Sequence, residues 1–155
     1  MTKFIITIFL FSIALFSNPS FSLALTTEIA KIKNVGPKIV MEVYLVTDTN
    51  AKDWQSLHLL DKKIIELNTD NQNIIFTTLK EGNYAIRLFQ DMNNNGMLDR
   101  SSNSIPLEPV GFSNNPSLFG GEPTPEESTF ILTKDQSITI NLKHRKPKKR
   151  HKSRS

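Results

Sequence analysis

The chain has 155 residues, 38% of them apolar and 22% charged, and no cysteine. That length suits one globular domain, and the missing thiols exclude a disulfide framework, a thiolate metal site, a cysteine nucleophile and a lipid-modified N-terminal cysteine. The formal charge of +4 averages unlike segments: residues 143–155 hold eight of the nineteen Lys and Arg, whereas 25–142 carries ten basic residues against all fifteen acidic ones, net −5.

Met1–Lys3 gives a short positive start, Phe4–Phe16 (FIITIFLFSIALF) runs thirteen residues without a charge, and a polar stretch ends in Ser22-Leu23-Ala24. This is the three-part order of a secretory signal peptide. Thirteen residues rise about 20 Å as a helix, short of the roughly 30 Å hydrocarbon core, so a permanent membrane span is the weaker reading. Small residues at 22 and 24 place cleavage before Leu25, with an uncleaved N-terminal anchor as the alternative. Residues 1–24 are therefore expected to be a leader. The body is expected in the periplasm or secreted, with no transmembrane span after cleavage.

Thr26–Asn34 opens the body at 25–142. Its Thr-Thr-Glu-Ile beginning could cap a helix, but the turn signal Asn34-Val35-Gly36-Pro37 ahead of a strong strand favours a hairpin. Within Lys38–Thr47, Ile39, Met41, Val43 and Leu45 fall on one face and Glu42 and Tyr44 on the other, the period of a half-buried strand. A single helical turn is expected around Asp53–Leu60, where Trp54 either caps an end of the core or acts as a surface anchor. Further strands are expected at Ile64–Leu67, Asn73–Leu79, Asn83–Gln90 and Thr129–Thr133, and along Ile138, Ile140 and Leu142. Tyr84 and Phe130 share phase with Ile86, Leu88 and Leu132 and read as core.

Two long loops interrupt the strands. Asp91–Asn103 is rich in Asn, and Ser104–Ser128 holds five of the eight prolines and three of the six glycines. Connections of that length are often functional. Phe112 and Phe119 are expected to pin the second loop onto the domain. About seven short strands without an amphipathic helix predict an all-β domain, because each one-sided sheet must bury its apolar face on another. The expected form is an antiparallel Greek-key β-sandwich, immunoglobulin/prealbumin-like.

The residues that carry chemistry follow the strand ending at Gln90. Asp91-Met92-Asn93-Asn94-Asn95-Gly96-Met97-Leu98-Asp99 matches D-x-N-x-N-G-x-x-D. Hard Ca²⁺ takes six to eight oxygens, and alternate side chains on a tightly curled loop converge on one point. Asp91, Asn93 and Asn95 would give side-chain oxygens, Gly96 the sharp turn, Met97 its carbonyl, and Asp99 a carboxylate directly or through water. The twelfth position is Ser102, so the bidentate glutamate of a complete EF-hand loop is missing. Glu108, held between Pro106 and Pro109, is the expected substitute, with Glu122 next. With two or three carboxylates the expected affinity is weak, about 10⁻⁴ to 10⁻³ M, a structural site rather than a sensor. The alternative is a plain Asn-Gly hairpin turn with local side-chain hydrogen bonds.

Glu81-Gly82-Asn83-Tyr84-Ala85, then Asp91–Asp99, then Ile105-Pro106-Leu107-Glu108-Pro109-Val110-Gly111-Phe112-Ser113-Asn114-Asn115 occur in an order that resembles the small secreted bacterial proteins of domain of unknown function 2141 (DUF2141). The likeness covers about 26–142. It implies a periplasmic or exported β-sandwich of unassigned function. Gln90 stands where the family often has histidine, Ser104 where glycine commonly precedes Ile-Pro, and Pro123–Phe130 is a loose version of the family's Pro-x-Phe-x-x-Ala-x-Phe.

Enzyme constellations are lacking in the sequence. His144 and His151 sit in the basic end, leaving His58 without an identified nucleophile or metal partner, and Gly111-Phe112-Ser113 lacks the second glycine of a nucleophile elbow. A hydrolase using loop carboxylates such as Asp99 and Glu108, with His58, is the enzymatic alternative. The main expectation is a non-enzymatic module that meets an envelope component or a protein partner. The second is a polyanion binder acting through a disordered basic tail, 143–155, by Lys143, Arg145, Lys146, Lys148, Lys149, Arg150, Lys152 and Arg154. Its targets would be lipopolysaccharide, phospholipid or nucleic acid. No aromatic interleaves those charges, so a dedicated nucleic-acid reader is not expected.

Overall fold

The computed structural model describes residues 22–48, 51–102 and 105–144. Residues 1–21, where the leader is expected, and the basic end from Arg145 lie outside the described residues. In chain order the elements are β1 (Leu23–Ala30), β2 (Lys38–Leu45), a 3-10 turn (Trp54–Ser56), β3 (His58–Ile65), β4 (Gln72–Leu79) and β5 (Gly82–Asp91). After the long loops come β6 (Val110–Phe112), a one-turn helix α1 (Pro125–Ser128), β7 (Thr129–Leu132) and β8 (Gln136–Asn141). They form two sheets, β4-β1-β8 and β3-β2-β5, with β6 and β7 end to end along the free edge of β5. The domain is all-β and sandwich-like, as the alternation predicts. One pairing, β1 with β8, is parallel.

The main core lies between the sheets. Leu25 and Ile29 of β1, Phe76 of β4 and Ile140 of β8 meet Ile39, Met41 and Val43 of β2 and Ile86 and Leu88 of β5. Tyr84 and Phe130 join them with ring centroids 6.3 Å apart. A second cluster covers the outer face of the larger sheet: Val40, Tyr44, Ala85 and Phe89 pack with Trp54, Val110 and Phe112. Both faces of β2 and β5 are therefore packed, the inner one on the main core and the outer one under this second cluster.

Three expectations need correction. Asn34–Pro37 does not close a hairpin, because the ladder of β1 is taken by β4 and β8 and the segment instead crosses to the other sheet. Lys31 (φ 63°) and Gly36 (φ 121°) redirect the chain there. The helical turn expected around Asp53–Leu60 is confined to Trp54–Ser56, and the strand expected from Ile64 already begins at His58, since β3 pairs with β2 from there onward. Phe119 does not pin its loop: it is 99% exposed, while Leu118 beside it packs on the outer cluster. Phe112 does pin, as part of β6. β1 begins at Leu23, two residues before the expected cleavage point, and Leu23 pairs with Leu79.

Gly111 explains how β6 lies so close to the core. A Cβ there would sit 2.7 Å from Ile140 Cγ2 and 3.0 Å from Leu88 Cδ1, so only glycine lets the strand close on β5 and β8. The Pro-rich loop is anchored at its middle by this approach.

Candidate functional site

β5 leaves the sheet at Asp91, whose side chain is nearly buried at 3% exposure. Its Oδ1 accepts the N–H of Asn95 (3.1 Å) and its Oδ2 the N–H of Gly96 (2.8 Å). Those two bonds curl the loop back on its own start. Asn94 (φ 60°) and Gly96 (φ 75°) take the left-handed conformation that such a reversal needs and that Asn and Gly tolerate best. Asn93 Oδ1 accepts the Asn95 N–H (3.1 Å) and Asn95 Oδ1 the Met97 N–H (2.8 Å), two successive Asx turns. The side-chain amides of Asn93 and Asn95 donate to the two oxygens of Asp99, at 2.7 and 3.2 Å.

Glu108 enters from the Pro-rich loop and is 5% exposed. Its Oε1 accepts the Met92 N–H (2.8 Å) and its Oε2 the Asp99 N–H (3.1 Å), so one carboxylate spans the two ends of the Asp/Asn loop. Backbone bonds reinforce the join. Leu107 N–H donates to Asp99 O and Ser101 N–H to Ile105 O, each at 2.9 Å, and Gln90 N–H donates to Pro109 O at 2.9 Å. Asp91, Asn93, Asn95, Met97, Asp99 and Glu108 are thus gathered in one hydrogen-bonded unit. Every carboxylate oxygen in it accepts one N–H donor and keeps a lone pair. Among the described residues no three His, Asp or Glu side chains are grouped closely enough to hold a metal ion.

Glu122 is elsewhere. Its Oε2 lies 2.7 Å from Arg100 Nη2 and its Oε1 3.7 Å from Arg87 Nη1. His58 is exposed and pairs with Leu45, which pairs with Tyr84, at the end of the sheet opposite the Lys38–Asp91 pair. Of the hydrolase alternative's three groups, Asp99 and Glu108 are brought together and His58 lies apart from them.

A second polar cluster escapes a reading of the sequence. Arg87 of β5 lies opposite Glu42 of β2, and its Nε donates to Glu42 Oε2 at 2.7 Å. The Tyr44 hydroxyl donates to the same oxygen at 2.7 Å. The guanidinium sits 5.3 Å from the ring centres of both Tyr44 and Trp54. Trp54 is 5% exposed and its indole N–H donates to Pro123 O at 2.8 Å, which makes it a cap on the outer core rather than a surface anchor. Together with Asp53, Gln55, Arg100 and Glu122, Trp54 and Arg87 line a cavity of about 280 Å³. Burial pushes the Glu42 carboxyl up, but the hydrogen bonds from Tyr44 and Arg87 and the charges of Arg87 and Lys62 outweigh it and hold the group below the usual carboxylate range. Burial and the bond to Glu42 push the Tyr44 phenol up. The only advance signal for this cluster is the cross-strand pair Glu42–Arg87, visible once the β2–β5 register is known.

The basic segment begins inside the fold. Lys143 pairs through its backbone with Val110, and its ammonium donates to Asn115 O at 3.1 Å and to Pro116 O. Burial and the Lys31 charge lower its pKa. Lys143 is a structural clasp on the Pro-rich loop, and the seven Lys and Arg that follow it lie outside the described residues. His144 places its ring nitrogen 3.0 Å from Lys31 O.

Among the described residues no helix is long and apolar enough to cross a membrane. No curated protein and no solved structure matches the chain. One family does match, over residues 27–141, from the middle of β1 to the end of β8 and with both loops included. The chain therefore belongs to the bacterial family described as "Uncharacterized protein conserved in bacteria (DUF2141)".

Proposed function

We propose that this chain is an exported, non-enzymatic β-sandwich module in which the Asp91–Asp99 loop and Glu108 hold one weakly bound Ca²⁺. The ion would order a loop surface that meets an envelope component or protein partner. The observation that carries this reading is Glu108, which joins both ends of the loop and supplies the carboxylate that the pattern lacks at Ser102. Asp91 and Asp99 add two more, and the Asn93 and Asn95 side chains lie between them. The amide N–H groups of those asparagines donate to the Asp99 oxygens. A cation would take their place, the amides turning their oxygens toward it. To bind the ion the three carboxylates would have to draw closer together than the structure places them, and that cost fits a modest affinity for a hard cation.

The test is thermal unfolding of chain 22–155, which keeps β1 whole, in chelator and in about 2 mM Ca²⁺. For a dissociation constant of about 10⁻⁴ M, linkage predicts close to 2 kcal/mol of added stability, a rise of several degrees. Asp99→Asn removes a ligand charge without touching the backbone bonds to Asp91 and Glu108, so it should fold and lose the response. A cooperative transition with no Ca²⁺ shift would refute the ion and leave the loop as a self-satisfied staple.

A further inference from the structure

Among the described residues, Ile105 and Phe119 are exposed apolar side chains that line one cavity at the end of the sandwich where the two long loops meet. Phe119 is 99% exposed. It borders that cavity, of about 610 Å³, whose apolar wall includes Ile105, Val110 and Leu118. Lys143 and His144 line the same cavity, and the chain continues from them into Arg145, Lys146, Lys148, Lys149, Arg150, Lys152 and Arg154. The acidic groups of this end are engaged: Asp91 and Glu108 accept backbone N–H groups, Asp99 accepts two amides, and Glu122 pairs with Arg100.

We infer that this end of the sandwich docks on an anionic phospholipid bilayer, the seven basic residues after His144 attracting it to the surface and Phe119 inserting at the headgroup boundary. An apolar anchor and a polybasic segment are the two signals that stable but reversible membrane attachment requires, because either alone is marginal. Charge complementarity selects the bilayer over an apolar protein groove: residues 25–142 are net −5 and would be repelled, whereas the chain that follows His144 adds seven positive charges. Docking goes beyond the Ca²⁺ reading and does not need the ion.

The test uses chain 22–155, because the apolar leader would bind vesicles by itself, and is run in chelator so that failure of the Ca²⁺ reading leaves it untouched. Co-sedimentation is measured with vesicles of phosphatidylcholine containing about one third phosphatidylglycerol and with phosphatidylcholine alone. Binding is expected to the anionic vesicles only, to be lost when salt rises from about 0.1 to 0.5 M, and to be lost on truncation after His144. Phe119→Ser, at a site with no packing to disturb, should weaken partitioning about tenfold or more. Phe119→Trp should blue-shift on adding anionic vesicles, against the constant signal of buried Trp54. No binding to anionic vesicles at low salt would overturn the inference. So would equal binding by Phe119→Ser with no blue shift, or duplex DNA competing fully in the wild type while Phe119→Ser behaves identically, since each leaves the basic segment acting alone on any polyanion.

Discussion

Replacing Glu108 by alanine should loosen the join between the two long loops and cost a measurable share of the fold. The side chain is 5% exposed and accepts two N–H groups, from Met92 at 2.8 Å and Asp99 at 3.1 Å. Hydrogen bonds to a charged group contribute about 1.5–3 kcal/mol each. Truncation opens a path for water to Met92 and Asp99, which places each loss at the low end and the sum at about 3 kcal/mol. For a domain of this size that lowers Tm by about 10 °C. Glu108→Gln keeps one acceptor but sets an amide N–H against the other backbone N–H, and should cost about 2 kcal/mol. Urea denaturation of both variants gives the energies, and hydrogen exchange at the Met92 and Asp99 amides gives the location. A Glu108→Ala chain within about 0.5 kcal/mol of wild type, with unchanged protection at both amides, would refute the assignment of Glu108 as the link.

Gly111→Ala places a methyl 2.7 Å from Ile140 Cγ2 and should destabilise by about 1–3 kcal/mol. Ile140→Ala in the same chain removes that methyl, so a double-mutant cycle by urea titration should show the two losses to be less than additive. Arg87→Ala removes the bond to Glu42 and the stacking on Tyr44 and Trp54, an expected loss of about 2 kcal/mol with a change in Trp54 fluorescence. Because the Glu42 carboxyl is held below its ordinary value, its contribution is fully present above the unfolded-state pKa and lost as pH falls through the lower folded-state value. Stability measured by urea titration from pH 6 down to about pH 3 should therefore fall less steeply in Glu42→Gln than in wild type. An equal slope in the two chains would mean that Glu42 is not favoured in its charged form by the fold.

Much of the sandwich is legible from period two alone. β2, β5 and β8 lie where alternation places them, because one face of each meets the core between the sheets. The pairing of β1 was not legible: a turn signal shows that the chain bends, not whether the next strand joins the same sheet or the opposite one. β6 hides in a Pro-rich stretch because three residues are too few for a period, and its meaning rests on Gly111, whose need for close approach exists only in three dimensions. Glu108 could be picked out as a loop carboxylate fixed between prolines, yet its hold on both ends of the Asp/Asn loop depends on the Arg100–Pro106 bridge and the bonds around it. Arg87 sits in a strand whose apolar neighbours give no hint of a half-buried charge, and its partner Glu42 is forty-five residues away.

Leu118 and Phe119 show why the exposed aromatic is a working residue of the loop rather than a misplaced core residue. Adjacent in sequence, they point to opposite sides, Leu118 into the cluster formed by Trp54, Val110 and Phe112, and Phe119 into solvent. Gly120 (φ 112°) and Gly121 (φ 130°) then turn the chain, and Gly121 N–H donates to Leu118 O at 3.3 Å. Below this turn Trp54 bonds to Pro123 O, and the Lys143 ammonium bonds to Asn115 O and Pro116 O. The loop is thus held on both sides of Phe119 by buried contacts, as a covering of the larger sheet's outer face rather than an appendage. A side chain presented on a held loop loses little further freedom when it inserts into another phase, so more of its transfer free energy appears as binding. The same attachment works in reverse. Whatever captures Phe119 or tightens the Asp91–Asp99 loop acts on residues that share the outer core with Val40, Tyr44 and Phe89 of the central strands, and so registers in the stability of the whole sandwich.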